Sequence, residues 1–401
     1  MEKKRLYYFV PDKKRKKTTL QIPESHDLHV CPGACGRRHA LRAVRSGEKQ
    51  RVSFLQMTQA DLVFGDYIKK TVEAVGELLK VLEPAPKAIT LYFNCVDDLL
   101  GTDERALERM LCRTYPDTAF CILRNDPISG MERRKTGEHA MARLYSLLQK
   151  TEEKDRGINL LGNYVPLPPE SEFFTLLEEW GIGPVRQIIT AEHFSEYTDM
   201  AKSCLNLAVM SMGRFAGEYM KERLDIPFLL QPVEFSMARV RENYRLLAAF
   251  FGCTEPDFSR WELPAKAAVS GALAAVGDRG IVLDDSATMR PLALAEALLE
   301  YGFPVRGVLM GNSKSEEKPE QFMEKYPSVR IILRDGRTDL SGDGFFGEML
   351  CIGRDCAWLL KARHFVDIWH DEGYYGYQGI GRLMGEIAGA MEKTAIWEGE
   401  T

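Results

Sequence analysis

The chain has 401 residues, 45% apolar and 28% charged, with a formal net charge of −5. This is the composition of a globular protein of two or three domains, and the acidic balance argues against a general nucleic-acid binder. No apolar run approaches the ~20 residues of a membrane-spanning helix.

The start, Met1-Glu2-Lys3-Lys4-Arg5, is basic but lacks the apolar stretch and small-residue site of a secretory signal. A cytoplasmic chain is therefore expected, with its nine cysteines as reduced thiols or metal ligands. Residues 1–25 read as a basic arm centred on Lys13-Lys14-Arg15-Lys16-Lys17. It is followed by Val30-Cys31-Pro32-Gly33-Ala34-Cys35-Gly36-Arg37-Arg38-His39. Pro and Gly favour a sharp turn that aims two thiols at one point, as an iron–sulfur cluster or soft metal requires. The same spacing also fits two reduced thiols in a loop.

Ile68 to Leu82 carries helical spacing, and Ala88–Phe93 reads as a strand ending at a third cysteine, Cys95. Thr118–Leu123 is a second strand, then a polar loop from Arg124 to Gly137 and a helix from Glu138 to Leu148. The rhythm restarts at Gly157–Gly162, with a helix over Glu172–Trp180 and a strand over Val185–Ile189. Amphipathic stretches follow at Cys204–Leu224 and Ser236–Phe251, with a short edge strand starting at Ile226. A third restart follows Pro264: strands at 280–285, 305–310, 329–333 and 348–353, a helix over Pro291–Tyr301, and a last helix over Gly379–Met391. These units predict an α/β fold of three doubly wound, Rossmann-like parallel-sheet domains around a central cleft, spanning 26–156, 157–262 and 263–401.

Several segments line up in order with one known family. They are Pro32-Gly33-Ala34-Cys35-Gly36, Gln59-Ala60-Asp61-Leu62-Val63-Phe64-Gly65, and Asn94-Cys95 followed by Leu99-Leu100-Gly101-Thr102-Asp103. They continue with Asn159-Leu160-Leu161-Gly162, Leu176-Leu177-Glu178-Glu179-Trp180-Gly181-Ile182, and Gly373-Tyr374-Tyr375-Gly376-Tyr377-Gln378-Gly379. Together they resemble nitrogenase component 1 and its relatives. Those relatives include cofactor-assembly scaffolds, light-independent protochlorophyllide reductases and nickel-sirohydrochlorin reductive cyclase.

The resemblance implies cluster ligands at Cys35 and Cys95, and Cys31 stands where the family usually has Gly. Cys31, Cys35 and Cys95 are thus the expected ligands of an iron–sulfur cluster, 4Fe-4S in type and shared between subunits. A fourth ligand comes from a partner subunit or from Asp27 or His29. Arg37, Arg38 and His39 would offset the cluster's charge. The positions of the family's large-cofactor ligands fall near Val209 and at Tyr375, which cannot replace them, so no iron–molybdenum cofactor and no dinitrogen reduction are expected. The implied partners are a second subunit, identical or a paralogue, and an ATP-dependent reductase like the nitrogenase iron protein. This chain itself carries no P-loop. A small-molecule or tetrapyrrole substrate is implied, with no nucleic acid and no membrane.

Asn125, Asp126, Arg133, Arg134, His139, Asn163, Tyr164, His370 and Tyr375 are candidates to line the cleft, with His139 and His370 as proton donors. His364 and His370 flank Asp367 without metal-ligand spacing. Cys112, Cys253, Cys351 and Cys356 are expected to be buried thiols, Cys204 a core helix residue, and Cys121 a strand end near the cleft. The competing readings are a non-catalytic scaffold for metallocofactor or tetrapyrrole maturation, and a binding protein that keeps the fold without a cluster.

Overall fold

The computed structural model describes residues 20–64, 67–94, 96, 103–124, 133–311, 317–334, 349–371 and 373–393. The first stretch contains β1 (Ser25–Pro32), α1 (Gly33–Ser46), β2 (Val52–Met57), α2 (Gln59–Phe64), α3 (Tyr67–Val81), β3 (Ala88–Phe93), α4 (Glu104–Thr114), β4 (Ala119–Arg124) and α5 (Arg133–Arg143). The second contains β5 (Ile158–Leu161), α6 (Glu172–Glu179), β6 (Val185–Gln187), α7 (Phe194–Asp199), β7 (Leu205–Ala208), α8 (Arg214–Leu224), β8 (Phe228–Leu230), α9 (Met237–Phe251) and α10 (Ser259–Val276). The third contains β9 (Ile281–Asp284), α11 (Pro291–Glu300), β10 (Val305–Gly311), α12 (Pro319–Lys325), β11 (Arg330–Arg334), β12 (Leu350–Ile352), α13 (Arg354–Leu360), β13 (His364–Val366) and α14 (Gly376–Glu392).

Each stretch builds one sheet, ordered β2-β1-β3-β4, β6-β5-β7-β8 and β11-β10-β9-β12-β13. Every strand pairing in them is parallel. In each order the chain winds outward on one side of its first strand and, after β2, β6 or β11, crosses back to continue on the other side, as in doubly wound folds. The switch points therefore lie between β1 and β3, β5 and β7, and β9 and β12.

Helices cover both faces of such sheets, which is why β5, β7 and β9 are buried at every residue and read as continuous apolar runs. Two asparagines interrupt that pattern and satisfy each other. Asn159 Nδ2 donates to Asn206 Oδ1 at 2.8 Å, and Asn159 Oδ1 accepts from Ser203 at 2.9 Å.

The chain divides into two compact units. One takes in Arg15–Pro166 and Ile182–Leu230 and holds the first two sheets; the other takes in Leu167–Gly181 and Gln231–Thr401 and holds the third. In the first unit, Leu28, Val30, Ile89, Leu91, Leu107 and Leu111 form one core layer. A larger layer includes Ile22, Cys121, Tyr145, Leu161 and Tyr197.

Several sequence readings need correction. Leu20 and Ile22, within the stretch assigned to the basic arm, are core residues. The stretch from Cys204 is not one helix: β7 comes first, and helix begins only at Arg214. Cys204 precedes the strand and donates its thiol to the Gly157 carbonyl at 3.3 Å. The helix expected from Glu138 starts at Arg133 and stops at Arg143, and the last helix starts at Gly376, three residues early. Cys112 is exposed and Cys253 half-buried, whereas Cys351 and Cys356 are buried as expected. Cys121 lies inside β4 rather than at its end.

Candidate functional site

The expected cysteine turn is a strand-to-helix junction. β1 runs through Cys31 to Pro32, and Pro32 serves directly as the N-cap of α1, with no side chain capping the first turn. Pro suits this place because it ends the strand and its missing N–H costs the helix nothing. The uncapped N–H groups leave the positive end of the helix dipole at Cys35, which is exposed in the first turn.

Cys31 is only 4% exposed. A Cβ placed on Gly36 would lie 3.3 Å from its sulfur, and one on Gly33 would lie 3.0 Å from the Gln56 amide. Gly36 thus leaves room at the Cys31 thiol, and Gly33 leaves room for the Gln56 amide. β3 lies beside β1, with Val30 in register with Phe93. The next residue, Asn94, ties the two strand ends together. Its Nδ2 donates to the Val30 carbonyl at 3.1 Å, and its Oδ1 accepts the Val96 N–H at 2.8 Å. The residues flanking position 95 are thereby held against the end of β1. Cys95 itself, with Asn125 and Asp126, lies outside the described residues. Among the described residues no group of three or more His, Cys, Asp or Glu side chains is placed to hold a metal ion.

A ring stack beneath α1 is the feature that sequence reading missed. His29 on β1 stacks on His39 of α1 at 4.4 Å, on Tyr92 of β3 at 4.6 Å and on Phe54 of β2 at 5.3 Å. Burial pushes His29 down to about 3, and the neighbouring His39 and Arg42 charges act in the same direction. Burial also lowers His39, helped by Arg38 and Arg42. Two signals were available: His29 and Cys31 share a strand face at i, i+2, and Cys35 and His39 share a helix face at i, i+4. Asp27, on the same strand face, is pushed up to about 7 by burial, against the pull of the Gln21 amide donating to it at 2.6 Å. Asp27 and His29 are thus engaged in the core, in a hydrogen bond and a ring stack respectively.

The remaining candidates fall in both units. In the first, His139 lies exposed on α5 with its ring 4.9 Å from Phe215. Asn163 Nδ2 donates to Gln187 Oε1 at 2.7 Å, and the Tyr164 hydroxyl points at the Met212 sulfur at 3.9 Å. Arg133 and Arg134 open α5, and their side chains are not described. In the second unit, His370 has a left-handed backbone (φ 45°) and its ring lies 4.4 Å from Trp369. Tyr375 is buried with Phe173 edge-on at 5.5 Å and Tyr244 at 6.4 Å. Val209, in the first unit, is buried too, its N–H bonded to the Leu161 carbonyl at 3.0 Å. His364 caps the end of α14 through the Ala390 and Lys393 carbonyls, each at 3.0 Å, so it does not join His370 around Asp367.

Three parallel doubly wound sheets define an α/β scaffold, with Cys31 at the end of β1 and Cys35 at the start of α1 beside the first switch point. The chain belongs to the nitrogenase component 1 type oxidoreductase family, whose model matches residues 18–341. Its fold is similar to that of a solved nitrogenase Cp1 at pH 6.5, at 15% identity and a TM-score of 0.72, covering 98% of this chain and 95% of that one. A nitrogenase Cp1 structure at pH 5 is similar at 14% identity and a TM-score of 0.65, over 92% of this chain and 85% of that one. No curated protein matches the chain in sequence. Among the described residues no helix is long and apolar enough to cross a membrane.

Proposed function

We propose that this chain is a subunit of an iron–sulfur oxidoreductase. In this reading a cluster sits at the β1–β3 switch point on Cys31, Cys35 and Cys95. It receives electrons from an ATP-dependent iron–sulfur reductase and passes them to a substrate other than dinitrogen. The observation that carries the reading is the bond from Asn94 to the Val30 carbonyl, because it brings the two thiol-bearing strand ends to one edge.

Ligands of doubly wound sheets bind at such edges. The donor set fits: soft thiolates, a side-chain-free Gly36 against the Cys31 sulfur, and an uncapped helix N-terminus at Cys35 to favour negative charge. A bound cluster would supply single-electron transfer. Three thiolates leave a four-iron cluster one ligand short. Asp27 and His29 are engaged within the core, so a partner subunit is the better source of the fourth.

Val209 and Tyr375 stand where the family's large-cofactor ligands are expected, and neither is a metal ligand of that kind. His139 and His370 are the proposed proton donors, each within its own unit. The reading places the protein in the cytoplasm, with its thiols reduced.

Iron content after anaerobic purification tests the ligand set. Cys35→Ala and Cys95→Ala should each lose most of the iron. Cys31→Ala at wild-type iron would remove Cys31 from the set, and wild-type iron in all three variants would end the proposal.

A further inference from the structure

We infer that Asp371 is the catch of a proton-operated latch over the switch point of the third sheet. The catch holds the stretch after β13 onto the loop after β9 while it carries a proton, and releases it on ionisation. The two stretches meet through a short run of bonds. His370 donates its N–H to the Ser286 carbonyl and Asp371 donates its own to the Ala287 carbonyl, each at 3.1 Å. In return the Met289 N–H donates to Asp371 Oδ2 at 3.3 Å, and the Thr288 hydroxyl faces the same carboxyl. In the sheet β12 lies between β9 and β13, so this clasp reaches across the carboxyl end of β12. Gly353, which follows β12, donates its N–H to the Val366 carbonyl at 3.0 Å, and Arg354 donates its own to the Ser286 hydroxyl at 3.0 Å. The clasp thus bounds the crevice between β9 and β12, the kind of place where doubly wound sheets take ligands.

Two features mark the clasp as a movable joint. His370 and Asp371 are consecutive non-glycine residues in the left-handed region, at φ 45° and 63°. Such backbone persists only where surrounding bonds hold it, so it relaxes when they are lost. The catch is also incompletely bonded. Asp371 is 6% exposed, yet its Oδ1 has no hydrogen-bond partner. A neutral carboxyl tolerates that, whereas an ionised one leaves a buried charge unsatisfied.

The charged groups around the catch do not make up the difference. Arg290, at the end of the β9 loop, is already paired with Glu234 at 2.6 Å. Glu317, ahead of α12, accepts the Leu292 and Ala293 N–H groups at 3.1 and 2.8 Å and faces Asp371 as a like charge. His370 adjoins Asp371 on its own stretch. Burial, helped by Glu317, pushes Asp371 from 3.8 up to about 7, against Thr288, the Met289 N–H and Arg290. The contribution of the neutral acid is therefore complete below 3.8 and is lost as pH rises through about 7. Opening of the clasp should grow by up to about tenfold per pH unit inside that window and level off above it. On the function proposed above, the latch also carries His370, one of the two proton donors. The latch itself needs no cluster.

Hydrogen–deuterium exchange read by mass spectrometry measures the opening, at about pH 5 and about pH 7 with labelling times scaled for the intrinsic rate. In the wild-type chain, exchange of residues 285–290 and 367–371, set against β10 of the same sheet, should rise at least about tenfold beyond the intrinsic change. Asp371→Asn does not titrate, and its amide oxygen still accepts the Met289 N–H. It should show no such rise. Iron-free Cys35→Ala protein should behave as wild type does.

Equal wild-type opening at both pH values would overturn the inference, whatever the variant does. So would a rise that survives in Asp371→Asn, which would hand the response to His370 or Glu317. A rise confined to one of the two stretches would leave no latch and overturn it as well. The two proposals fail separately. A chain that never holds iron but shows the rise loses the cluster and keeps the latch. A chain with iron and no rise does the reverse.

Discussion

Replacing Glu172 with alanine should cost the unit built around the third sheet about 3–5 kcal/mol. The side chain opens α6 but its carboxylate works elsewhere, at the start of α14, where it accepts the N–H groups of Tyr377 and Gln378. It also accepts the Tyr244 hydroxyl at 2.9 Å. Gly376 has φ +74°, and a Cβ there would run into the carboxylate. Glycine is therefore required both for the backbone and for the space. Glu172→Ala strands three donors, two of them buried, at ~1–1.5 kcal/mol each. For a unit of this size that lowers the melting temperature by on the order of 10 °C. Glu172→Gln keeps one accepting oxygen but turns an amide N–H toward a donor, for a loss of about 1–3 kcal/mol. Differential scanning calorimetry of the three proteins measures both steps. An alanine variant within about 1 kcal/mol of wild type, or a glutamine variant as unstable as the alanine one, would refute this reading of the carboxylate as a helix cap supplied from another helix.

Two further predictions concern the switch points. Asn94→Ala removes the bonds to Val30 and Val96, so it should lower iron retention while costing only about 1–2 kcal/mol of stability. Iron assays alongside urea unfolding check this, and full iron retention would contradict it. Asp371 is pushed by burial from 3.8 up to about 7, so it favours its protonated form in the folded protein. Its favourable contribution is complete below the unfolded value and is lost as pH rises through about 7. Asp371→Asn should therefore flatten the pH dependence of the urea midpoint, exceeding wild type at about pH 8 and not at about pH 4. Parallel curves for the two proteins would contradict the assignment.

How much was legible depended on what each segment buries. β3, β5 and β9 are apolar on both faces, and α3 and α9 keep a helical stripe, so pattern alone found them. β1 and α1 were missed as elements because their sequences break those rules. Ser25, His26 and Asp27 are polar residues buried in a strand, satisfied by Ile22, Ser53 and Gln21. α1 rests on Gly36 and Ala43 rather than on an apolar stripe, and its outer face is arginine. β7 was absorbed into a helix because Leu205 and Leu207 fit either period over so short a run. Cys35 and Cys95 were singled out by the order of motifs along the chain. The bond that brings their strand ends together runs from Asn94 to a backbone carbonyl 64 positions away, which no local pattern encodes. The ring stack on His29 was hidden for the same reason: its members come from β1, α1, β2 and β3.

The central claim is that this chain holds a redox-active cluster at the β1–β3 edge. Low-temperature electron paramagnetic resonance of the anaerobically purified protein, before and after chemical reduction, tests it most directly. The account predicts a signal of a one-electron-reduced iron–sulfur cluster that disappears in Cys35→Ala. A protein that is silent in both states and contains neither iron nor acid-labile sulfide would contradict it.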